Sequence, residues 1–170
     1  MRFVALVLAL LAVSSHSYAA SESRIGTVDL QRAVTESKEG GAARAELLKR
    51  TEQLNAELKQ LLAETDKVRG ELEKEGEKMR EEERAEKQRL LQKKAREFQL
   101  RQAEAQEELK QTESAALKRI IAKFGAILSK IGADGDYAAI LDRNSGVFYA
   151  GKKNDVTPLL VQQADKEYPR

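Results

Sequence analysis

The chain has 170 residues, of which 34% are charged and only 5% are aromatic, and its 30 basic residues nearly balance its 28 acidic ones. It contains no cysteine, no tryptophan and one histidine. The lack of cysteine excludes a disulfide scaffold, a zinc-thiolate site and a cysteine nucleophile. The near-neutral balance argues against a general nucleic-acid binder. Dense charge with few aromatic residues is typical of long helices and coiled coils.

The first twenty residues have the pattern of a secretory signal peptide. A short positive start is followed by an apolar run over residues 3–13, which is shorter than the roughly 20 residues that span a bilayer. Small residues then favour cleavage after Ala19, so residues 1–19 are the predicted signal peptide and Ala20 begins the mature chain. The alternative is an uncleaved anchor. Cleavage also removes His16, so catalysis would have to rest on carboxylates or lysines, and we predict neither an enzyme nor a cofactor.

Residues 41–120 are predicted to form a long helical hairpin, which we call the arm. Apolar and small residues recur there with the heptad spacing of a coiled coil, in two segments. The segments are Leu47, Leu54, Leu58, Leu61, Val68 and Leu72, then Leu91, Ala95, Phe98, Gln102, Ala105, Leu109, Thr112 and Ala116. The pattern fails between them, where Gly76 lies in a run of charges, so the tip of the hairpin is predicted near residues 76–82. The alternative is one continuous helix through Gly76.

The two ends of the chain, residues 20–40 and 121–170, are predicted to form a small β-rich body. Strands are predicted at Arg24–Leu30, Tyr137–Leu141 and Val147–Ala150, with a hairpin turn between the last two. The predicted helices comprise residues 30–37, a second arm helix that stops at Gly132, and a last helix with Thr157 as its N-cap. The pair Gly40-Gly41 is expected to loosen the connection to the arm.

A body of about 75 residues is marginal on its own by surface-to-volume scaling. Its few strands also leave open edges that must be covered or paired. Both arguments predict self-association of the chain. The residues predicted for the body core or the contacts between subunits are Ile25, Val28, Phe124, Ile140, Leu141, Val147, Phe148 and Tyr149.

Three stretches together resemble the Skp/OmpH family of periplasmic chaperones for outer-membrane proteins. They are Ile25–Asp29 (IGTVD), the charged arm, and Tyr137–Ala150 (YAAILDRNSGVFYA), followed by Asp155-Val156-Thr157. The resemblance covers essentially the whole mature chain. It implies a jellyfish-like homotrimer, in which strands from three subunits form the body and three hairpins surround a cavity. It also implies that this cavity holds unfolded β-barrel proteins without ATP until they insert into the membrane.

The predicted fold class is therefore α+β and mostly α, with a small β-rich trimerisation body and a long antiparallel coiled-coil hairpin. The predicted location is the periplasm, and the predicted partners are unfolded outer-membrane proteins and other copies of the chain. A membrane surface or lipopolysaccharide is an additional candidate. The lipopolysaccharide site proposed in some members has no residue-by-residue match here. Nucleic acid is excluded as a partner by the compartment and the charge balance.

Client contacts are predicted near the tip of the arm, where the charge is unevenly distributed. Residues 71–83 hold seven acids and three bases, whereas residues 84–96 hold six bases and one acid. The candidate contacts are apolar at Val68, Leu72 and Met79 and electrostatic at Arg84, Lys87, Arg89, Lys93 and Lys94. The alternative for Val68 and Leu72 is that they only close the seam of the hairpin. The alternative for the charges is a solvated helix surface.

Two other classes of function stay open. A secreted coiled-coil spacer or adaptor of the cell envelope would share the signal peptide and the arm. An enzyme would need a reactive constellation, and the one candidate is a cation site at Asp134-Gly135-Asp136. That run lacks the remaining ligands of a calcium loop, so the sequence favours a polar turn.

Overall fold

The computed structural model describes residues 24–169. The predicted signal peptide and its cleavage site at Ala19 and Ala20 lie outside the described residues. The elements in chain order are β1 (Arg24–Val28), α1 (Leu30–Glu36), α2 (Lys38–Glu75), α3 (Glu81–Asp134), β2 (Tyr137–Asp142), a short 3-10 turn (Lys152–Asn154) and α4 (Thr157–Glu167).

Helices α2 and α3 form the predicted antiparallel hairpin. Helix α2 has 38 residues, which corresponds to a length of about 57 Å at 1.5 Å per residue. It ends at Gly76, whose N–H donates to the Leu72 carbonyl at 3.0 Å. The chain reverses over residues 76–80, and α3 begins at Glu81. A hairpin rather than one continuous helix is therefore confirmed.

The sheet has two strands, β1 and β2, which pair in parallel with Gly26 opposite Ile140 and Thr27 opposite Leu141. Parallel strands require a crossover connection, and the entire hairpin serves as that crossover. The other edge of β1 pairs with the segment just before α4, where the Val156 N–H donates to the Thr27 carbonyl at 2.9 Å. Within residues 24–169 no strand pairs with the second edge of β2.

The core lies in the body, where α1, the C-terminal part of α3 and α4 pack against β1. Its buried members are Val28, Ala33, Ile120, Phe124, Ile127, Ile131, Val156, Leu160 and Ala164. The apolar residues of α3 recur at intervals of three or four, so they form one stripe that faces the body. Phe124 is fully buried within it.

Short polar caps set the boundaries of the first two helices. The Asp29 carboxylate accepts the Arg32 N–H at 2.9 Å at the start of α1, and the Ser37 hydroxyl accepts the Gly40 N–H at 3.2 Å at the start of α2. Each cap satisfies a backbone donor that the helix leaves unpaired.

The expectation that Gly40 and Gly41 loosen the connection to the arm is wrong. Both glycines lie in the first turn of α2. A Cβ at Gly40 would lie 1.7 Å from the Val34 carbonyl oxygen, whereas a Cβ at Gly41 would meet nothing within 4 Å. Gly40 therefore permits α1 and α2 to approach closely, and its role is packing rather than flexibility.

The predicted strand at Val147–Ala150 is wrong for the single chain, because these residues have no regular secondary structure. The preceding turn is present, and Gly146 adopts a φ of 90° that suits glycine. A strand requires a hydrogen-bonded neighbour, and β2 pairs with β1 instead of with this segment.

The predicted helix stop at Gly132 is also wrong. Helix α3 continues to Asp134, and the N–H of Gly135 donates to the Ile131 carbonyl at 3.0 Å to end it. One glycine inside a helix costs only about 1 kcal/mol relative to alanine, which the packed stripe of α3 can offset.

Thr157 is not the N-cap of α4 but its first residue. It is fully buried, and its hydroxyl accepts the Asp29 N–H at 2.9 Å, so it joins α4 to the start of α1. Its own N–H donates to the Asp155 carboxylate at 2.9 Å. Burial raises the pKa of Asp155, but hydrogen bonds from Thr157 and Arg32 outweigh burial and lower it overall.

Candidate interaction surface of the arm

The seam between α2 and α3 buries few large apolar side chains. The residues buried along it are Leu54, Thr65, Val68 and Ala105. The Thr65 hydroxyl donates to the Leu61 carbonyl of its own helix at 2.8 Å, so its burial leaves no unpaired donor. Apolar stabilisation scales with the area removed from water, and this seam removes little per turn.

A series of four ion pairs crosses the hairpin along one flank, and we call it the ion-pair ladder. The pairs are Arg50–Glu108, Glu57–Arg101, Glu64–Lys94 and Glu71–Lys87. The N···O distances of the first three are 2.5, 2.5 and 2.6 Å. Successive members are seven residues apart on both helices, and this spacing returns to the same side of a coiled-coil helix.

Hydrogen bonds within the ladder favour the ionised state of its four basic members and of Glu64, Glu71 and Glu108. Hydrogen bonds from lysine lower the pKa of Glu64 and Glu71, and the hydrogen bond from Arg50 lowers the pKa of Glu108. Hydrogen bonds to the glutamates raise the pKa of the four basic members. All of these groups are solvent-accessible, so screening limits what each contributes to stability. We infer that their main effect is on the register of the two helices.

At the root of the arm, a buried carboxylate connects three helices. Glu39 on α2 is 3% exposed, and Lys123 on α3 donates to it at 2.5 Å. The Lys123 ammonium also lies 4.1 Å from the centroid of the Tyr168 ring, just after α4. The second oxygen of Glu39 has no hydrogen-bond partner. This contact attaches the arm to the body.

The candidate client contacts fall into two groups in the structure. Val68 is buried in the seam, and Lys87 and Lys94 belong to the ladder, so these three already contact the partner helix. The remaining candidates are accessible or partly accessible: Leu72, Met79, Arg84, Arg89 and Lys93. Contact of any of them with a client remains a prediction.

The candidate body residues divide in a similar way. Val28 and Phe124 lie in the core, and Ile140 and Val147 are half-buried. The others are exposed in the single chain, namely Ile25, Leu141, Phe148 and Tyr149. Phe148 and Tyr149 are almost completely exposed, which is unusual for two adjacent aromatic side chains.

Sequence reasoning missed the ladder and the buried Glu39. Charges at heptad spacing were visible at positions 50, 57, 64 and 71 and at positions 87, 94, 101 and 108. They could have indicated a ladder only once the register of the hairpin was known. Glu39 gave no signal, because it is one of many glutamates in a charged stretch.

The remaining features of residues 24–169 concern metal-ligand groups, a groove and the hydropathy of the helices. Within residues 24–169, no group of three or more His, Cys, Asp or Glu side chains could hold a metal ion. A groove of about 480 Å³ lies at the root of the arm, with Ala43, Leu47, Ala116 and Ile120 in its wall. No helix in this part of the chain combines the length and the apolar character that crossing a membrane requires.

Comparison with known proteins identifies a family and solved structures of similar architecture. No curated protein matches the chain. The structure is similar to the crystal structure of a protein from Caulobacter crescentus described as a proposed outer membrane chaperone (OmpH-like), with a TM-score of 0.80 and 25% identity over 85% of each chain. The family model "Outer membrane protein (OmpH-like)" matches residues 24–163. Because this match covers most of the chain, the protein belongs to the OmpH-like family.

Proposed function

We propose that the protein is an ATP-independent holdase chaperone of the periplasm. It binds unfolded outer-membrane β-barrel proteins in a cavity between helical arms and prevents their aggregation before membrane insertion. The observation that carries the proposal is the family match over residues 24–163, together with a structural relative described as a proposed outer membrane chaperone. The protein is not an enzyme in this proposal and needs no cofactor.

The physics of the arm suits such a task. An unfolded β-barrel protein exposes alternating apolar residues and unpaired strand edges, both of which promote aggregation in water. A chaperone that binds the unfolded form lowers its free concentration by mass action. The arm offers a long accessible surface with exposed Leu48, Leu62, Leu90 and Leu100. Many weak contacts on such a surface would allow the client to leave for the membrane without ATP.

Trimer formation is part of the proposal, and the body supplies the support for it. The second edge of β2 has no strand partner within the described residues, and the exposed Phe148 and Tyr149 follow β2 in the chain after a short turn. Pairing of residues 147–150 with a neighbouring subunit would cover both features. Multi-angle light scattering on the mature protein should give the mass of three chains. The double variant Phe148→Ser/Tyr149→Ser should shift the mass toward the monomer, and a monomeric wild type would contradict the cavity.

The direct test of the function is suppression of aggregation. Mixing the purified mature protein with a urea-unfolded outer-membrane β-barrel protein, without ATP, should suppress light scattering at near-stoichiometric ratios. A lack of suppression at every ratio would exclude a holdase. The spacer or adaptor alternative predicts instead a stable complex with one folded envelope protein.

The periplasmic location has its own test. Osmotic-shock fractionation should release the protein with the periplasmic contents, and N-terminal sequencing should begin at Ala20. An intact start at Met1 would refute the predicted signal peptide.

A further inference from the structure

The flank of the arm opposite the ion-pair ladder has a different chemistry. One residue after the seam positions 47, 54 and 61 on α2 come two leucines and an asparagine, and one residue after positions 91, 98 and 105 on α3 come three glutamines. The next members of the two series are charged, because Arg69 follows Val68 and Glu113 follows Thr112, so the uncharged part of this flank is limited to the middle of the arm. These six residues form what we call the amide–leucine flank: Leu48, Asn55, Leu62, Gln92, Gln99 and Gln106.

Helical geometry separates this flank from the ladder. Successive residues of a helix are rotated by about 100° around its axis. The residue one place after a seam position therefore lies about 80° to one side of the seam centre, and the residue three places after it lies about 80° to the other side. Ladder residues such as Glu57 and Arg101 follow Leu54 and Phe98 by three, whereas Asn55 and Gln99 follow the same two residues by one. In an antiparallel pair, both helices then contribute ladder residues to one side and amides or leucines to the other.

The six members of the amide–leucine flank are all exposed in the single chain. Leu48 is 60% exposed and Leu62 is 42% exposed. Among residues 24–169, none of the ion pairs involves a member of this flank. The ladder flank, by contrast, already uses its charges to join the two helices.

The chemistry of this flank fits an unfolded polypeptide. Such a chain presents apolar side chains together with unpaired N–H and C=O groups. Asn and Gln side chains both donate and accept hydrogen bonds, so they can pair with either backbone group. Because the six members carry no charge, covering them would desolvate no ion. The distance from Leu48 to Leu62 is about 21 Å at 1.5 Å per residue, which matches about six residues of extended client at 3.3 Å each.

We propose that the amide–leucine flank is the client-binding side of the arm and that the ladder flank only holds the hairpin together. This inference rests on the proposed holdase function and specifies where on the arm the client binds. It places the contacts along the middle of the arm, between the body and the tip residues that were predicted from the sequence.

Site-specific photo-crosslinking tests the inference, and the lack of cysteine in the wild type makes single-cysteine labelling clean. Leu62→Cys and Gln99→Cys place a benzophenone maleimide on the amide–leucine flank. Gln60→Cys and Glu97→Cys are matched controls, because each lies two residues from its counterpart, at almost the same height along the arm. Gln60 and Glu97 precede the seam residues Leu61 and Phe98 and therefore lie on the ladder side. The probe is a urea-unfolded outer-membrane β-barrel protein. The first two positions should give several-fold more client adduct than the controls.

The possible outcomes separate this inference from the proposed function. Equal adduct from all four positions, with full suppression of aggregation, would overturn the inference and leave the holdase function standing. Adducts between two copies of the chain in place of client adducts would also overturn it, since the flank would then be an interface between copies. No adduct together with no suppression by the wild type would reject both.

A pair of charge variants provides an independent readout. Leu48→Glu/Leu62→Glu adds two charges to the amide–leucine flank, and Gln53→Glu/Gln60→Glu adds the same charges on the ladder side. All four positions are exposed. Circular dichroism should report folded helices for both proteins. The first variant should need several-fold more protein to suppress aggregation, and the second should behave as the wild type. The reverse order, or no difference, would contradict the inference.

Discussion

The body and the arm use different interactions to hold their helices together. In the body, nine buried apolar residues form one core cluster, which includes the fully buried Phe124. Along the arm, buried seam residues are few and two of them, Thr65 and Ala105, are small or polar, while four ion pairs fix the alignment. Stability is therefore concentrated in the body. The arm, with few buried contacts and an exposed surface, belongs to the part of the molecule that opens locally at low cost.

The largest effect on stability is expected from the centre of the body. Phe124→Ala removes a fully buried ring and should lower the free energy of unfolding by about 3–5 kcal/mol. Urea denaturation followed by circular dichroism measures this. A loss below about 1 kcal/mol would mean that the body is not the stable centre of the molecule.

A smaller and more local effect is expected from the arm. Leu54 is 1% exposed in a seam that buries few large apolar side chains, so Leu54→Ala should cost about 2 kcal/mol, at the low end for a buried leucine. Hydrogen exchange should show faster exchange in residues 47–61 and unchanged protection around Phe124. Equal acceleration in both regions would show that the arm and the body unfold as one unit.

The junction between the two regions offers a matched pair of substitutions. Gly40→Ala places a Cβ against the Val34 carbonyl and should destabilise the protein by about 1–3 kcal/mol through overpacking. Gly41→Ala meets open space in the same helical turn and should stabilise it by about 0.5–1 kcal/mol. Thermal unfolding of the two variants should therefore shift in opposite directions, and a shift in the same direction would refute the packing role of Gly40.

The smallest effect is expected from the ladder, and it depends on pH. Because the pKa values of Glu64, Glu71 and Glu108 are lowered in the folded arm, their contribution is present above the ordinary glutamate pKa of 4.5 and is lost as the pH falls through the lowered values. The hydrogen-exchange protection factors of the arm, which correct for the intrinsic pH dependence of amide exchange, should fall below about pH 4.5, whereas those of the body core should change less. Glu64→Gln/Glu71→Gln should weaken this pH dependence, and an unchanged profile would mean that the ladder does not hold the hairpin.

The elements of both regions could be predicted to the extent that their signals are local. Heptad spacing from Leu47 to Leu72 and the apolar stripe around Phe124 are properties of single helices, so the hairpin and the fold class followed from them. The roles of Gly40 and Thr157 could not be predicted, because they depend on the Val34 carbonyl and the Asp29 N–H of another segment. The strand at residues 147–150 failed for a related reason, since a strand pattern does not supply the neighbouring strand that it needs.

The candidate surface shows the same division. The dense, nearly balanced charge and the heptad spacing together indicated a long, solvated helical arm on a small body. Only the tertiary structure decided which charges face each other, because the alignment of the two helices places Glu57 beside Arg101. A helical period assigns a residue to one side of its own helix, whereas an interaction between two helices requires their relative alignment. That alignment separates an ion-paired flank from an uncharged one.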